Sequence, residues 1–154
     1  MRILINNWQK SVKLPTKELK IIIHNILESL GSEKSVIGIT LVDDETIRKL
    51  NKKYRNKDKP TDVLSFYIEK EIMARCNVPP QNDLIGDVVI SVETAIKQAK
   101  DYKHSFEKEI KILLIHSILH LFGYDHIKGT QFSIMRKKEK EIFKLIEGLQ
   151  LKPK

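Results

Sequence analysis

The sequence predicts an α+β fold, one small mixed sheet of about four strands packed with about five helices. Three observations carry that expectation. Short β-branched runs are interspersed with segments of helical periodicity. Turn and cap residues stand between them. The chain of 154 residues has the length of one compact domain, taken here as residues 1–154.

Taken in order, Ile3 to Ile5 form a brief apolar run that opens as a strand. Pro15 sits where a helix begins, with Leu19, Ile22, Ile23, Ile26 and Leu27 at helical spacing up to a stop at Gly31. The run "SVIGITLV" reads as a buried strand, followed by Asp43 and Asp44 as N-cap candidates for a helix through Ile47 and Leu50. "TDVLSFYI" alternates as a strand entered through Pro60. "DLIGDVVIS" is another, in which Gly86 marks a bend or a close backbone approach. Ser91 caps the helix "VETAIKQAKDY", and Ser105 to Phe122 make the longest helix, with Glu107 and Glu109 near its positive end. A last helix runs from about Gln131 to Gly148. The order of the strands in the sheet is not legible at this level.

Lys and Arg number 28 against 20 Asp and Glu, a net charge of +8, which suits a polyanionic partner such as nucleic acid and equally suits plain solubility. Cys76 is the single cysteine, with no second thiol for a disulfide or a thiolate metal site. The opening "MRILINNWQK" is too short for a signal-peptide core, and no run approaches the ~18 apolar residues of a membrane span. A soluble, cytoplasmic protein without a membrane partner is expected.

The chemistry concentrates in "HSILHLFGYDH", residues 116–126, which holds three of the five histidines. His116 and His120 are four apart and share a helix face, close enough to bind one ion. Gly123 suits the left-handed residue that ends a helix, after which the chain can bring His126 back over that face. A lone histidine in an apolar segment is usually a hydrogen-bonded core residue. Two on one buried face are harder to satisfy, since each unpaired imidazole costs about 1–3 kcal/mol and both cannot charge together. A shared divalent ion answers both problems. Three neutral imidazoles leave one tetrahedral position open for water, the pattern of a catalytic centre of metal-hydrolase type. Zinc is the first choice of ion, one per chain, and nickel, copper and iron also accept nitrogen ligands.

In the zinc-protease helix a glutamate follows the first histidine as general base, whereas here Ser117 stands there, which weighs against peptidase chemistry. Asp125 is either a residue orienting His126 or a turn aspartate. Between Arg48 and Lys59 the run "RKLNKKYRNKDK" carries seven basic residues and one acid. Such a run is most often a solvated helix face. Because it leads straight into a strand, Arg55 with Tyr54 can hold a phosphate and stack a base. A metal-bound nucleophile beside an arginine suits a phosphodiester. Asp87 is either a third contributor or a backbone partner near Gly86.

These residues resemble the YbeY family of bacterial endoribonucleases. "HSILHLFGYDH" is similar to that family's metal signature, "YRNKDKPTDVLSF" to its arginine segment, "LIGDVVIS" to its Leu-Gly-Asp strand and "MRKKEKEI" to its closing helix, all in order from Tyr54 to Ile142. The chain departs from the pattern at Ser117, where glycine is usual, at Tyr67, where proline commonly follows "LSF", and at Ile85 in place of leucine. The resemblance implies an α+β sandwich with the metal at one end of a cleft. It also implies a single-strand-directed, metal-dependent endoribonuclease of ribosomal RNA maturation, notably at the 3′ end of the small-subunit RNA, and of ribosome quality control. By motif position His116, His120 and His126 would be the metal ligands and Arg55 the catalytic or RNA-binding arginine. Single-stranded RNA and ribosomal RNA are the expected partners, with ribosomal proteins or a GTPase as further ones. The competing readings are a metallopeptidase-like hydrolase and a non-enzymatic RNA-binding assembly factor with a structural metal.

Overall fold

The computed structural model describes residues 2–32, 34–67, 83–124 and 129–151. Among them the chain forms four strands, β1 (Arg2–Asn7), β2 (Ser35–Val42), β3 (Val63–Tyr67) and β4 (Asp83–Ser91). Five helices accompany them, α1 (Thr16–Ser29), α2 (Asp44–Arg55), α3 (Val92–Asp101), α4 (Phe106–Leu121) and α5 (Gly129–Ile146). No helix among these residues is long and apolar enough to cross a membrane.

The sheet runs β1-β2-β4-β3. β1 lies parallel to β2 and β2 parallel to β4, while β3 runs antiparallel to β4 and forms an edge. This order follows from the connections. α1 is long enough to carry the chain over the sheet between two parallel strands, as a parallel pairing requires.

The two faces of the sheet are unequal. Ile37, Ile39, Leu41, Val88 and Ile90 join the main core with α1, α3, α4 and α5. The other face carries a smaller cluster, in which Val42, Leu64 and Val89 meet Ile47 of α2. α4, apolar for most of its length, is the central helix. It packs on β3 and β4, on α1 and α3, and on α5, and ten of its sixteen residues are buried.

Helix ends follow the cap chemistry of the sequence. The Asp43 side chain accepts from Thr46 N at 2.8 Å, Ser91 Oγ from Thr94 N at 3.3 Å, and Ser105 Oγ from Lys108 N at 3.1 Å. α2 and α3 also cap each other, since Asp44 N donates to Glu93 Oε1 at 2.9 Å and Ser91 Oγ donates to Asp44 Oδ1 at 2.6 Å. Gly86 has φ +146°, and a Cβ there would stand 2.1 Å from the Phe66 carbonyl oxygen, so the expected close approach is made by β3 itself.

Three boundaries differ from expectation. β1 extends over six residues because it pairs with β2 along its whole length, Arg2↔Val36 to Asn7↔Leu41. β3 starts two residues later than "TDVLSFYI" suggests, because the Asp62 side chain accepts Val63 N at 2.7 Å and turns the chain there. The last helix begins at Gly129, two residues before Gln131, and ends at Ile146, so that at 18 residues it exceeds the 16 of α4, which was expected to be the longest. Cys76 and Ile68 lie outside the described residues.

Candidate active-site cleft

A cleft of about 810 Å³ opens between the turn after α2, the edge strand β3, and the helices α3 and α4. Its lining includes Arg55, Lys57, Lys59, Ser65, Tyr67, His116, Ser117 and His120. The arginine and two of the expected ligands, 61 and 65 residues further along the sequence, therefore face one cavity.

His116 and His120 lie one turn apart on α4 with their rings edge to face, centroids 4.6 Å apart. Their Nε2 atoms converge to 3.1 Å. Two nitrogens bound at ~2.0–2.1 Å to one tetrahedral ion stand about 3.3–3.4 Å apart, a few tenths of an ångström more than the separation of this pair. Two imidazoles turned nitrogen to nitrogen are the donor set that zinc and its neighbours favour, so these residues fit a metal. His126, with Asp125, lies outside the described residues, and among the described ones no group of three metal-ligating side chains gathers.

Backbone bonds close the end of α4. Tyr124 N donates to Leu119 O and Gly123 N to His120 O, both at 3.0 Å, with Gly123 at φ +91°. This is the glycine-terminated helix end expected at that position. Tyr67, the last residue of β3, donates its hydroxyl to the same His120 carbonyl and so ties the sheet edge to the histidine turn. Ser117 is fully buried and its Oγ donates to Leu114 O at 3.1 Å, a bond within its own helix.

The basic run divides in two. Arg55 at the end of α2, Lys57 and Lys59 line the cleft, whereas Arg48, Lys49, Lys52 and Lys53, earlier in α2, are absent from the lining. The one acid of the run is turned away. Arg48 grips Asp58 and, at 2.6 Å, Glu45. The hydrogen bonds that Arg48 donates to Glu45 and then to Asp58 hold the pKa of its guanidinium above the ordinary range, and Arg48 in turn lowers that of Glu45. Arg55 Nη2 donates to Ser65 O at 2.9 Å, which sets the guanidinium against β3.

Two residues singled out in the sequence stand elsewhere. Tyr54 packs edge-on against Phe66, centroids 5.3 Å apart, and is not part of the cleft lining. Asp87 pairs across the ladders with Gly38 and Phe66, where an added Cβ on Gly38 would meet its carboxylate at 2.1 Å. That face of the sheet is the α2 side, away from α4, because the neighbouring Gly86 is the residue facing Leu121. Asp87 is therefore not among the residues that line the cleft.

Sequence reasoning missed Tyr67 as a site residue and assigned no role to Glu139. It also missed Gln98 and Asp62, which meet at 3.3 Å in the cleft wall. For Glu139 a signal existed. Met135, Glu139, Ile142 and Ile146 are spaced as one helix face, and an acid within an apolar stripe calls for a partner. The partner is His116, whose Nδ1 lies 3.5 Å from Glu139 Oε1.

The sequence profile of "Endoribonuclease YbeY" matches residues 4–147. The chain is 40% identical over 148 residues to an endoribonuclease YbeY from Carboxydothermus hydrogenoformans, covering 95% of this chain and 97% of that one. It is 42% identical over 147 residues to the corresponding protein of Desulforamulus reducens, covering 92% and 95%. Among solved structures, the solution structure of a Thermotoga maritima protein superposes with a TM-score of 0.61 at 27% identity, covering 94% of this chain and 91% of that one.

Proposed function

This chain belongs to the endoribonuclease YbeY family, and from that premise we propose that it is a metal-dependent endoribonuclease that cuts single-stranded ribosomal RNA in the cytoplasm. The reading extends to maturation of the small-subunit RNA 3′ end and to ribosome quality control, with ribosomal proteins or a GTPase as delivery partners. The observation that carries it is the convergence of the His116 and His120 Nε2 atoms, 3.1 Å apart, in the cleft that also holds Arg55, Lys57 and Lys59.

His116, His120 and His126 would hold one divalent ion, zinc by preference. Such an ion supplies a Lewis acid for a phosphoryl oxygen and lowers the pKa of its water. The chain's own residues do the rest. Arg55, Lys57 and Lys59 offset the charge of an RNA strand laid in the cleft. Arg55 spends one guanidinium donor on Ser65 O, which aims the remaining fork at a phosphate. Tyr67 holds the carbonyl end of the α4 turn, so the sheet edge and His120 keep a fixed distance during turnover.

A peptidase reading has less support. Ser117 is bonded to Leu114 O within α4, and no carboxylate occupies the position after His116. Arg55 also occupies a carbonyl of the edge strand, where an extended peptide would add as a further strand.

The test offers single-stranded RNA, double-stranded RNA and casein to purified protein of measured metal content, with and without chelator. His120→Ala and Arg55→Ala accompany it. Chelator-sensitive cleavage of single-stranded RNA that both substitutions abolish is expected. RNA binding without cleavage would favour an assembly factor, and casein cleavage would favour the peptidase.

A further inference from the structure

We propose that Glu139 is the positioning residue of the metal centre: its carboxylate accepts the Nδ1–H of His116 and thereby holds that ring in the tautomer whose Nε2 lone pair faces His120. The proposal rests on the reading of His116 and His120 as metal ligands and deepens it. Two independent observations converge on Glu139. The first is geometric. The two nitrogens of the His116 ring point in different directions, Nε2 to within 3.1 Å of His120 Nε2 and Nδ1 to within 3.5 Å of Glu139 Oε1. The second lies in the pattern of α5. Met135, Ile142 and Ile146 are buried, and Glu139 occupies the same inward stripe with its side chain only 26% exposed.

A carboxylate placed there loses hydration, and that loss is offset only by a donor. Neutral imidazole has one N–H and one lone pair, and the acceptor it meets decides which nitrogen carries which. A carboxylate at Nδ1 selects the Nδ1–H form and leaves Nε2 as the metal-binding lone pair. It also makes that nitrogen a stronger donor and fixes the plane of the ring. Glu139 is not itself a ligand of the same ion, because it faces the opposite nitrogen of the ring from the one turned to His120. α5 packs against α4 along this contact, so the alignment of two helices is converted into the orientation of one imidazole.

The experiment measures zinc affinity by competition with a chromophoric chelator for the full chain and for Glu139→Ala, Glu139→Gln, Glu141→Ala and His120→Ala. It also follows the ring nitrogens of His116 by 15N NMR in the metal-free protein. Glu139→Ala is expected to weaken zinc binding about ten- to a hundredfold. Glu139→Gln, which keeps an acceptor oxygen, loses less, and Glu141→Ala, which removes the same charge from an exposed position of the helix, changes little. The His116 spectrum shows the Nδ1–H form in the parent and a mixture of tautomers in Glu139→Ala. Circular dichroism checks the fold, and if Glu139→Ala fails to fold, Glu139→Gln carries the comparison. Zinc affinity unchanged in both Glu139 variants while His120→Ala loses it overturns the positioning role and leaves the metal centre standing. An equal loss in Glu141→Ala overturns it in favour of a general charge effect. A parent chain that binds no zinc overturns both.

Discussion

Asn51 Nδ2 donates to the Lys59 carbonyl oxygen at 2.9 Å, across the turn that carries the cleft's cations. The Asn51 carbonyl accepts Asn56 N and, at 3.3 Å, Lys57 N, and Asn56 takes the left-handed conformation that closes α2. One buried asparagine thus organises Arg55, Lys57 and Lys59. Asn51→Ala should cost about 0.5–1.5 kcal/mol, the net contribution of the lost bond to the exposed Lys59, read by urea denaturation. It should weaken RNA binding as well, read by fluorescence anisotropy, while zinc affinity stays unchanged.

The division of the basic run has a salt signature. Each phosphate contact in the cleft contributes about −0.7 to the slope of log affinity against log salt for a single strand. Lys57→Ala and Lys59→Ala should each reduce that slope, whereas Lys49→Ala should leave it nearly unchanged. A salt titration of binding to a short single-stranded RNA checks this, and equal effects at all three positions would contradict the assignment.

Asp43 gives α2 a pH-dependent anchor. Its hydrogen bonds to Thr46 hold the carboxyl below its ordinary value, with smaller help from Lys49. A depressed folded pKa means stability that is complete above the unfolded value near ~4 and lost as pH falls through the folded one. Asp43→Ala should cost about 0.5–2 kcal/mol at neutral pH. Chemical denaturation should show that difference shrinking as pH falls below about 4.

Lys111 clamps the end of α5. Its side chain is 3% exposed, and Nζ lies 3.2 Å from Glu107 Oε1 and 3.1 Å from Glu147 O, with a further bond to Leu149 O at 2.5 Å. Glu107 in turn accepts Leu151 N at 2.8 Å. Lys111→Met should destabilise by about 3 kcal/mol, the low end for a broken buried pair, because Glu107 is partly solvated. At this chain length that is a drop of about 6–12 °C in Tm, measurable by calorimetry.

Elements with strong local signals were legible in the sequence. β2 and α4 follow from continuous apolar runs and α1 from helical spacing, and the caps at Asp43, Ser91 and Ser105 lie where short polar side chains precede helical runs. The convergence of His116 and His120 follows from a spacing of four. What needed the three-dimensional structure was everything set by the sheet. Asp87 and Ser65 are one pairing step apart in the β3–β4 ladder, yet they belong to opposite faces. Period-two alternation alone cannot tell which face meets α4. Tyr67 and Glu139 reach the histidines from β3 and α5, elements distant in sequence, so no local pattern joins them.

The bond from Arg55 to the Ser65 carbonyl bears on colloidal behaviour. β3 is an edge strand, and an edge that presents open carbonyls is a template for pairing with another molecule of the same chain. Arg55 covers one of those carbonyls and sets a positive charge beside the strand. Arg55→Ala should therefore self-associate more readily than the parent at high concentration, visible as a larger mass by light scattering. An activity loss in that variant reports on the arginine's chemistry only in preparations shown to be as dispersed as the parent, which makes light scattering the first measurement to run on it.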